Sequence, residues 1–231
     1  MQTFVDAIEF LGDNLGLIWD KTVEHLLLSG ASIGVAMLVS IPLGVWLGHI
    51  HRGSFLAINV SNVGRALPSL AVISIGLGVL GVGFLNVMVA LVILAAPVML
   101  TNAYVAVDQV DKDAVQAARA MGMRPRQVLV GVELPLALPL VFAGIRTAAV
   151  YVVATATLAA LAGGGGLGDI IVNQPTYGPE GVVAGSIAIA VLAFATEGGF
   201  ALLQHLVTPR GLRKRGEEML LEPAITPAIT Q

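Results

Sequence analysis

Two ionisable side chains stand deep in otherwise apolar sequence, Arg146 within "FAGIRTAAV" and Glu197 within "LAFATEGGF". Charges so placed are costly, and where they occur they pair with one another or line an aqueous path. A further concentration of chemistry is "QAARAMGMRPRQ", Gln116–Gln127, which holds three arginines in twelve positions of a chain that is only 12% charged. Another is "GGGGLGD", Gly163–Asp169, a formal G-x-G-x-x-G, although that pattern binds dinucleotides only between a strand and a helix of a βαβ unit. Covalent chemistry has little to work with. There are no cysteines, and no serine, histidine and acid form a recognisable constellation. The four histidines, His25, His49, His51 and His205, do not form an i, i+4 pair around a glutamate as an intramembrane metalloprotease requires. A G-x-x-x-x-G-K-[ST] nucleotide loop is also missing, so the chain cannot energise transport with ATP by itself. The chemistry on offer is charge placement and backbone geometry, which speaks against an enzyme.

Those residues must be positioned by membrane helices. The 231 residues are 56% hydrophobic with a mean hydropathy of +0.88, beyond the usual range of soluble domains. A net charge of −3 gives no basic face for nucleic acid. A spanning helix takes about 20 apolar residues, and five stretches qualify: Leu26–Gly48, Ala66–Leu85 with an extension back through Phe55–Val63 left open, Val87–Val107, Leu134–Ala162 and Val182–Val207. Lys and Arg mark the cytoplasmic side. With the amino terminus outside, ten of the twelve basic residues fall inside: Arg52, Arg65, Lys112, Arg119, Arg124, Arg126, Arg210, Arg213, Lys214 and Arg215. Only Lys21 lies outside, and Arg146 is within a span. The expected architecture is an all-α, multi-pass protein of the cytoplasmic (inner) membrane, with about five transmembrane helices and a cytoplasmic carboxyl terminus.

Residues 1–22 form an external amino-terminal segment. Its beginning lacks the basic start of a cleavable signal, and apolar residues at Phe4, Ile8, Leu11, Leu15 and Ile18 predict an amphipathic helix, read first as a surface anchor. Residues 23–208 form the transmembrane domain, and residues 209–231 a disordered tail. Within the domain, residues 108–135 make the cytoplasmic loop. Asp113–Met121 is rich in helix formers, Gly122 suits a helix-ending C′ position, and Pro125 suits the first turn of a second helix. A helix, a glycine hinge and a second short helix are therefore expected.

The loop resembles the signature of ABC importer permeases: Glu-Ala-Ala, three residues, Gly, nine residues, Ile-x-Leu-Pro. Here Gln116-Ala117-Ala118 is followed at those distances by Gly122 and by Val132-Glu133-Leu134-Pro135, with departures at Gln116 and Val132. Together with "EHLLLS" (24–29), "IPLG" (41–44), "RALPSLAV" (65–72) and "ATLAALAGGGGLGD" (156–169), the chain is similar to permeases of the quaternary-amine importers that take up glycine betaine, carnitine, choline or proline betaine. Methionine and other amino-acid importers share the fold. The resemblance implies the type I ABC importer permease fold and an ATP-driven, binding-protein-dependent importer. It implies partners as well: an ABC ATPase subunit dimer, a second permease subunit, an extracytoplasmic solute-binding protein and the lipid bilayer. Any ATP and Mg sit on the ATPase, with no cofactor in this chain. Under that resemblance Gln116, Ala117, Ala118, Arg119, Gly122, Arg124, Leu134 and Pro135 form the coupling loop to the ATPase, where Gln116 lacks the charge of the usual Glu. Gly165, Gly166 and Asp169 become candidate external contacts for the binding protein.

Arg146 and Glu197 lie ~18 and ~15 Å from the inner ends of their spans at helical rise. Matching depths suggest a pair or a shared place on the pathway, while snorkelling of Arg146 to the interface stays open. Trp46, Tyr104 and Tyr151 are too scattered to make an aromatic cage for a quaternary ammonium. Two other classes stay open: a secondary transporter, which would often show a repeat that these spans lack, and an intramembrane enzyme.

Overall fold

The structure is a computed structural model, and it describes residues 2–53, 55, 59, 61, 62, 64 and 66–208. Arg65, the tail cluster Arg210, Arg213, Lys214 and Arg215, and the carboxyl tail assigned as disordered lie outside the described residues.

The described elements are helical throughout. Helix α1 (Gln2–Asp13) is followed by α2 (Leu15–His49), α3 (Ser69–Leu80), α4 (Phe84–Asp108), α5 (Lys112–Ala120) and α6 (Pro125–Val128). A π-helical turn (Leu129–Glu133) joins α6 to α7 (Leu134–Thr155), a 3-10 segment (Ala156–Ala162) extends α7, and α8 (Gly168–Val172) precedes α9 (Gln174–Val207). Among the described residues, four helical segments are long and apolar enough to cross a membrane: Leu15–His49, Phe84–Asp108, Pro125–Ala162 and Gln174–Val207.

Within the second expected span, Ala66–Leu85, the structure has the 12-residue α3, and most of its backward extension through Phe55–Val63 lies outside the described residues. At ~1.5 Å per residue α3 covers only about 18 Å. Pro68 sits at its start, and Gly81 and Gly83 end it with φ of 77° and 128°, so the apolar run is not one helix. At the amino end, α1 stops at Asp13 and α2 already begins at Leu15, so the expected boundary near residue 22 falls inside α2. Of the predicted apolar stripe, Phe4, Ile8 and Leu15 are exposed and Leu11 and Ile18 are half-buried. Phe10 instead turns inward and meets the Tyr177 ring edge-on at 6.4 Å, which lays α1 against α9.

In space α2 packs along α4, α4 along α7, and α7 along α9. One cluster, with Leu28, Ala36, Ile73, Leu91, Met99 and Val152, fills the middle. A second, with Val107, Val115, Ala118, Val128, Val141 and Ile145, sits under the loop. Lipid is as apolar as leucine, so helices in a membrane associate through close contact of small residues rather than through water exclusion. The Gly44-x-x-x-Gly48 face of α2 supplies that contact. A Cβ on Gly44 would lie 2.6 Å from the Leu100 carbonyl oxygen, and one on Gly48 would lie 2.7 Å from the Tyr104 oxygen. Gly48→Ala should therefore lower the thermal midpoint in detergent, by several degrees for the roughly 1–3 kcal/mol of overpacking. Gly16→Ala, where no atom lies within 4 Å of the added methyl, should not.

Candidate functional site

The loop between α4 and α7 is built by local rules that its sequence obeys closely. Asp111 caps α5, its Oδ1 accepting from Asp113 N at 2.9 Å and Ala114 N at 3.5 Å. This places an acid at the positive end of the helix dipole. At the other end Gly122 takes φ +83°. Its N–H donates to Arg119 O at 2.9 Å, and Met123 N–H donates to Ala118 O at 3.2 Å, the paired bonds of a Schellman motif. Pro125 occupies the first turn of α6, and Gln127 Oε1 accepts from Arg124 N at 2.8 Å.

Pro135 has no N–H, and its ring crowds the carbonyl four residues back. The ladder widens just ahead of it, with Leu134 N–H reaching Leu129 O, the five-residue bond of a π turn. Helical backbone thus runs unbroken from the loop into the membrane segment, from Pro125 to Ala162.

Gln116, Ala117, Arg119, Gly122 and Arg124 are exposed, and Leu134 and Pro135 are half-buried. Ala118 is buried with Val115 and Val128, so of the two alanines expected to face a partner only Ala117 is exposed. Asp111→Ala should fray α5 at a cost of about 1 kcal/mol. Hydrogen exchange at the amides of Asp113 and Ala114 would report the loss.

Beneath the loop lie contacts that sequence reasoning missed. Glu133, treated there as a spacer in the motif, is 1% exposed, and its Oε2 accepts from His49 Nδ1 at 2.5 Å. Its Oε1 is buried with no hydrogen-bond partner. His51 Nδ1 donates to Asp108 Oδ1 at 2.9 Å. A cavity of about 350 Å³ opens between these groups and the inner face of α5. An acid flanked by apolar residues in "VGVELP" was the one hint available in the sequence.

At the opposite end of α2, Lys21 Nζ donates to Asp169 Oδ2 at 2.8 Å and to Glu24 Oε2 at 2.9 Å. Gly166 N–H donates to the same Glu24 oxygen at 2.9 Å. The glycine loop is thereby tied to α2, and Asp169 is engaged within the chain. Gly165 also lies against Glu24, since a Cβ there would sit 2.8 Å from Oε2. Lys21 and His51 are separated by thirty residues, ~45 Å of helix, so the glycine loop and the α4–α7 loop occupy opposite ends of the bundle.

Between those ends the structure pairs Arg146 with Glu197. Arg146 Nε donates to Glu197 Oε1 at 2.6 Å, and a second guanidinium nitrogen reaches the same oxygen. Gln204 extends the group, its Oε1 accepting from Arg146 Nη1 at 3.5 Å and its Nε2 donating to Pro139 O at 2.9 Å. The aromatic residues are not gathered: Tyr104 is buried against Leu47, while Trp46 and Tyr151 are exposed.

Residues 40–209 match the family described as the inner membrane component of binding-protein-dependent transport systems. The choline transport system permease protein OpuBB of Bacillus subtilis is 36% identical over 211 residues, covering 91% of this chain and 97% of that protein. The glycine betaine/carnitine/choline transport system permease protein OpuCB of the same organism is 36% identical over 205 residues, covering 88% and 94%. Among solved structures, an inward-facing form of the MetNI methionine ABC transporter superposes with a TM-score of 0.74 at 21% identity, covering 84% of this chain and 98% of that one. At that identity the likeness speaks for the fold.

Proposed function

The chain belongs to the family of inner membrane components of binding-protein-dependent transport systems, and from that premise we propose that it lines the pathway of an ATP-driven osmoprotectant importer. The solute class is a small quaternary amine or betaine, such as glycine betaine, carnitine, choline or proline betaine, supported by the named substrates of relatives that align over almost their whole length. The end bearing the α4–α7 loop is the cytoplasmic one, in keeping with Arg52, Lys112, Arg119, Arg124 and Arg126 gathering there and Lys21 standing at the other end. A second permease subunit, an ATPase dimer and an external binding protein complete the assembly. The apolar window of α9 is almost entirely unburied within this chain, which leaves surface for a neighbouring subunit as well as lipid.

The observation that carries this reading is the form of the loop. An exposed short helix ends at a left-handed glycine and returns through helical backbone continuous with a membrane segment. ATP-driven closure of the ATPase pushes on the exposed face of α5. The Schellman turn keeps α5 and α6 at a set angle, so the push is passed to α7 and on to Arg146 rather than absorbed in a flexible link. The π turn lies within that line, and such turns recur at functional places in helices.

Affinity purification tests the docking. The wild-type chain should carry its ATPase through purification. Ala117→Trp, which fills the exposed face of α5 without touching its buried side, should reduce the ATPase retained at least about tenfold, as loss of a close-packed interface centre does. Undiminished retention in that variant would contradict docking on this face.

A further inference from the structure

We infer that the end of α2 is a two-histidine clasp that positions the loop: His51 holds its start through Asp108, and His49 holds its return through Glu133. The inference rests on the coupling role proposed for the loop and adds residues outside it.

The first observation is backbone conformation. His51 has φ +50°, the one non-glycine residue with positive φ among those described. It ends α2 as the C′ residue of a Schellman motif, with His51 N–H donating to Gly48 O at 3.0 Å and Arg52 N–H to Leu47 O at 3.2 Å. Glycine is the residue such a position favours, and a histidine there carries strain that the surroundings must offset. What histidine supplies and glycine cannot is the bond to Asp108, the last residue of α4 before the loop.

The second observation lies at the loop's other end. Glu133 is the last residue of the π turn, it is buried, and its ordered contact is His49. Its second oxygen has no partner, so His49 is the group that fixes this carboxylate. Two residues of one helix end, two positions apart, thus hold both limbs of the same loop.

The third is that neither contact is needed to join the helices. Gly44 and Gly48 already bring α2 against α4. The His51–Asp108 contact is open to solvent, and a cavity bordered by His51, Asp108, Lys112, Gln116, Arg119 and Glu133 lies beside it. A joint made of directed hydrogen bonds around open space can shift as a unit, so displacement of the loop is handed to α2 as well as to α7.

The test uses the full complex in proteoliposomes, with solute uptake, ATP hydrolysis, ATPase retention and thermal midpoint measured on the same preparations. His51→Gly supplies the favoured left-handed residue and removes the bond to Asp108. The clasp predicts an unchanged or higher midpoint and full ATPase retention, with solute moved per ATP hydrolysed falling about fivefold. His51→Asn tolerates positive φ and retains a donor for Asp108, and it should recover to within about twofold of the wild type. Glu133→Leu, which removes the acceptor for His49 while keeping similar volume, should reproduce the loss seen with glycine. Wild-type coupling in His51→Gly would overturn the clasp while leaving the loop's role standing. A wild-type chain that retains no ATPase would overturn both.

Discussion

Replacing Gly122 with valine is expected to cut coupled uptake at least about tenfold while the chain still inserts and folds, because a non-glycine residue pays of order 1–2 kcal/mol for left-handed backbone and a β-branched one more. No atom beyond its chain neighbours lies within 4 Å of a Cβ at Gly122, so the site has room for a side chain. The substitution acts through the backbone alone, at φ +83°. Moving that residue out of the left-handed region breaks the bonds from Gly122 N to Arg119 O and from Met123 N to Ala118 O. The angle between α5 and α6 is then no longer held, and a push on α5 bends the hinge instead of moving α7. Gly122→Asn is the control, since asparagine adopts this conformation more readily than other residues. Comparing ATP hydrolysis with uptake for both variants checks the prediction, and a valine variant with unreduced uptake per ATP would contradict it.

The second large effect is expected at Arg146 and Glu197. Arg146→Glu places two carboxylates side by side in an apolar span, and uptake should fall at least about tenfold, with part of the loss appearing as unassembled protein. Glu197→Arg should behave likewise. The double exchange restores opposite charges at the same depth and should return uptake to within a few-fold of the wild type, a non-additivity that only interacting residues show. The side chains remain 36% and 38% exposed within this chain. A charged pair that open is costly against lipid acyl chains, so the proposed assembly would place it against the neighbouring permease or the aqueous path. Failure of the double exchange to rescue either single variant would refute the direct pair as the functional unit.

How much of this was legible beforehand follows from the kind of information each feature needs. The loop is local: the Asp111 cap, Gly122, Pro125 and the run to Pro135 act over a few residues, and the structure forms what their spacing implies. The Arg146–Glu197 pair is long-range, but helical rise converts sequence position into depth, so two charges in apolar spans could be matched. The end of the second span was placed too far on because Ala66–Leu85 is apolar throughout, while the backbone of Gly81 and Gly83 that ends α3 leaves no mark on hydropathy. The clasp was invisible for another reason. His49 and Glu133 are 84 positions apart, His51 and Asp108 57, and no periodicity links them before α2 is packed on α4. Asp169 was a candidate external contact, and its bond to Lys21, 148 positions away, could not be read from the sequence.

The most direct test of the central claim is uptake into proteoliposomes holding this chain, its second permease subunit and the ATPase, with the binding protein outside and ATP inside. The account predicts accumulation of labelled glycine betaine, carnitine or choline that requires both ATP and the binding protein, that is competed by the other quaternary amines, and that is unaffected by excess methionine. Uptake that proceeds without ATP or without the binding protein, or that is displaced by methionine and not by betaines, would contradict it.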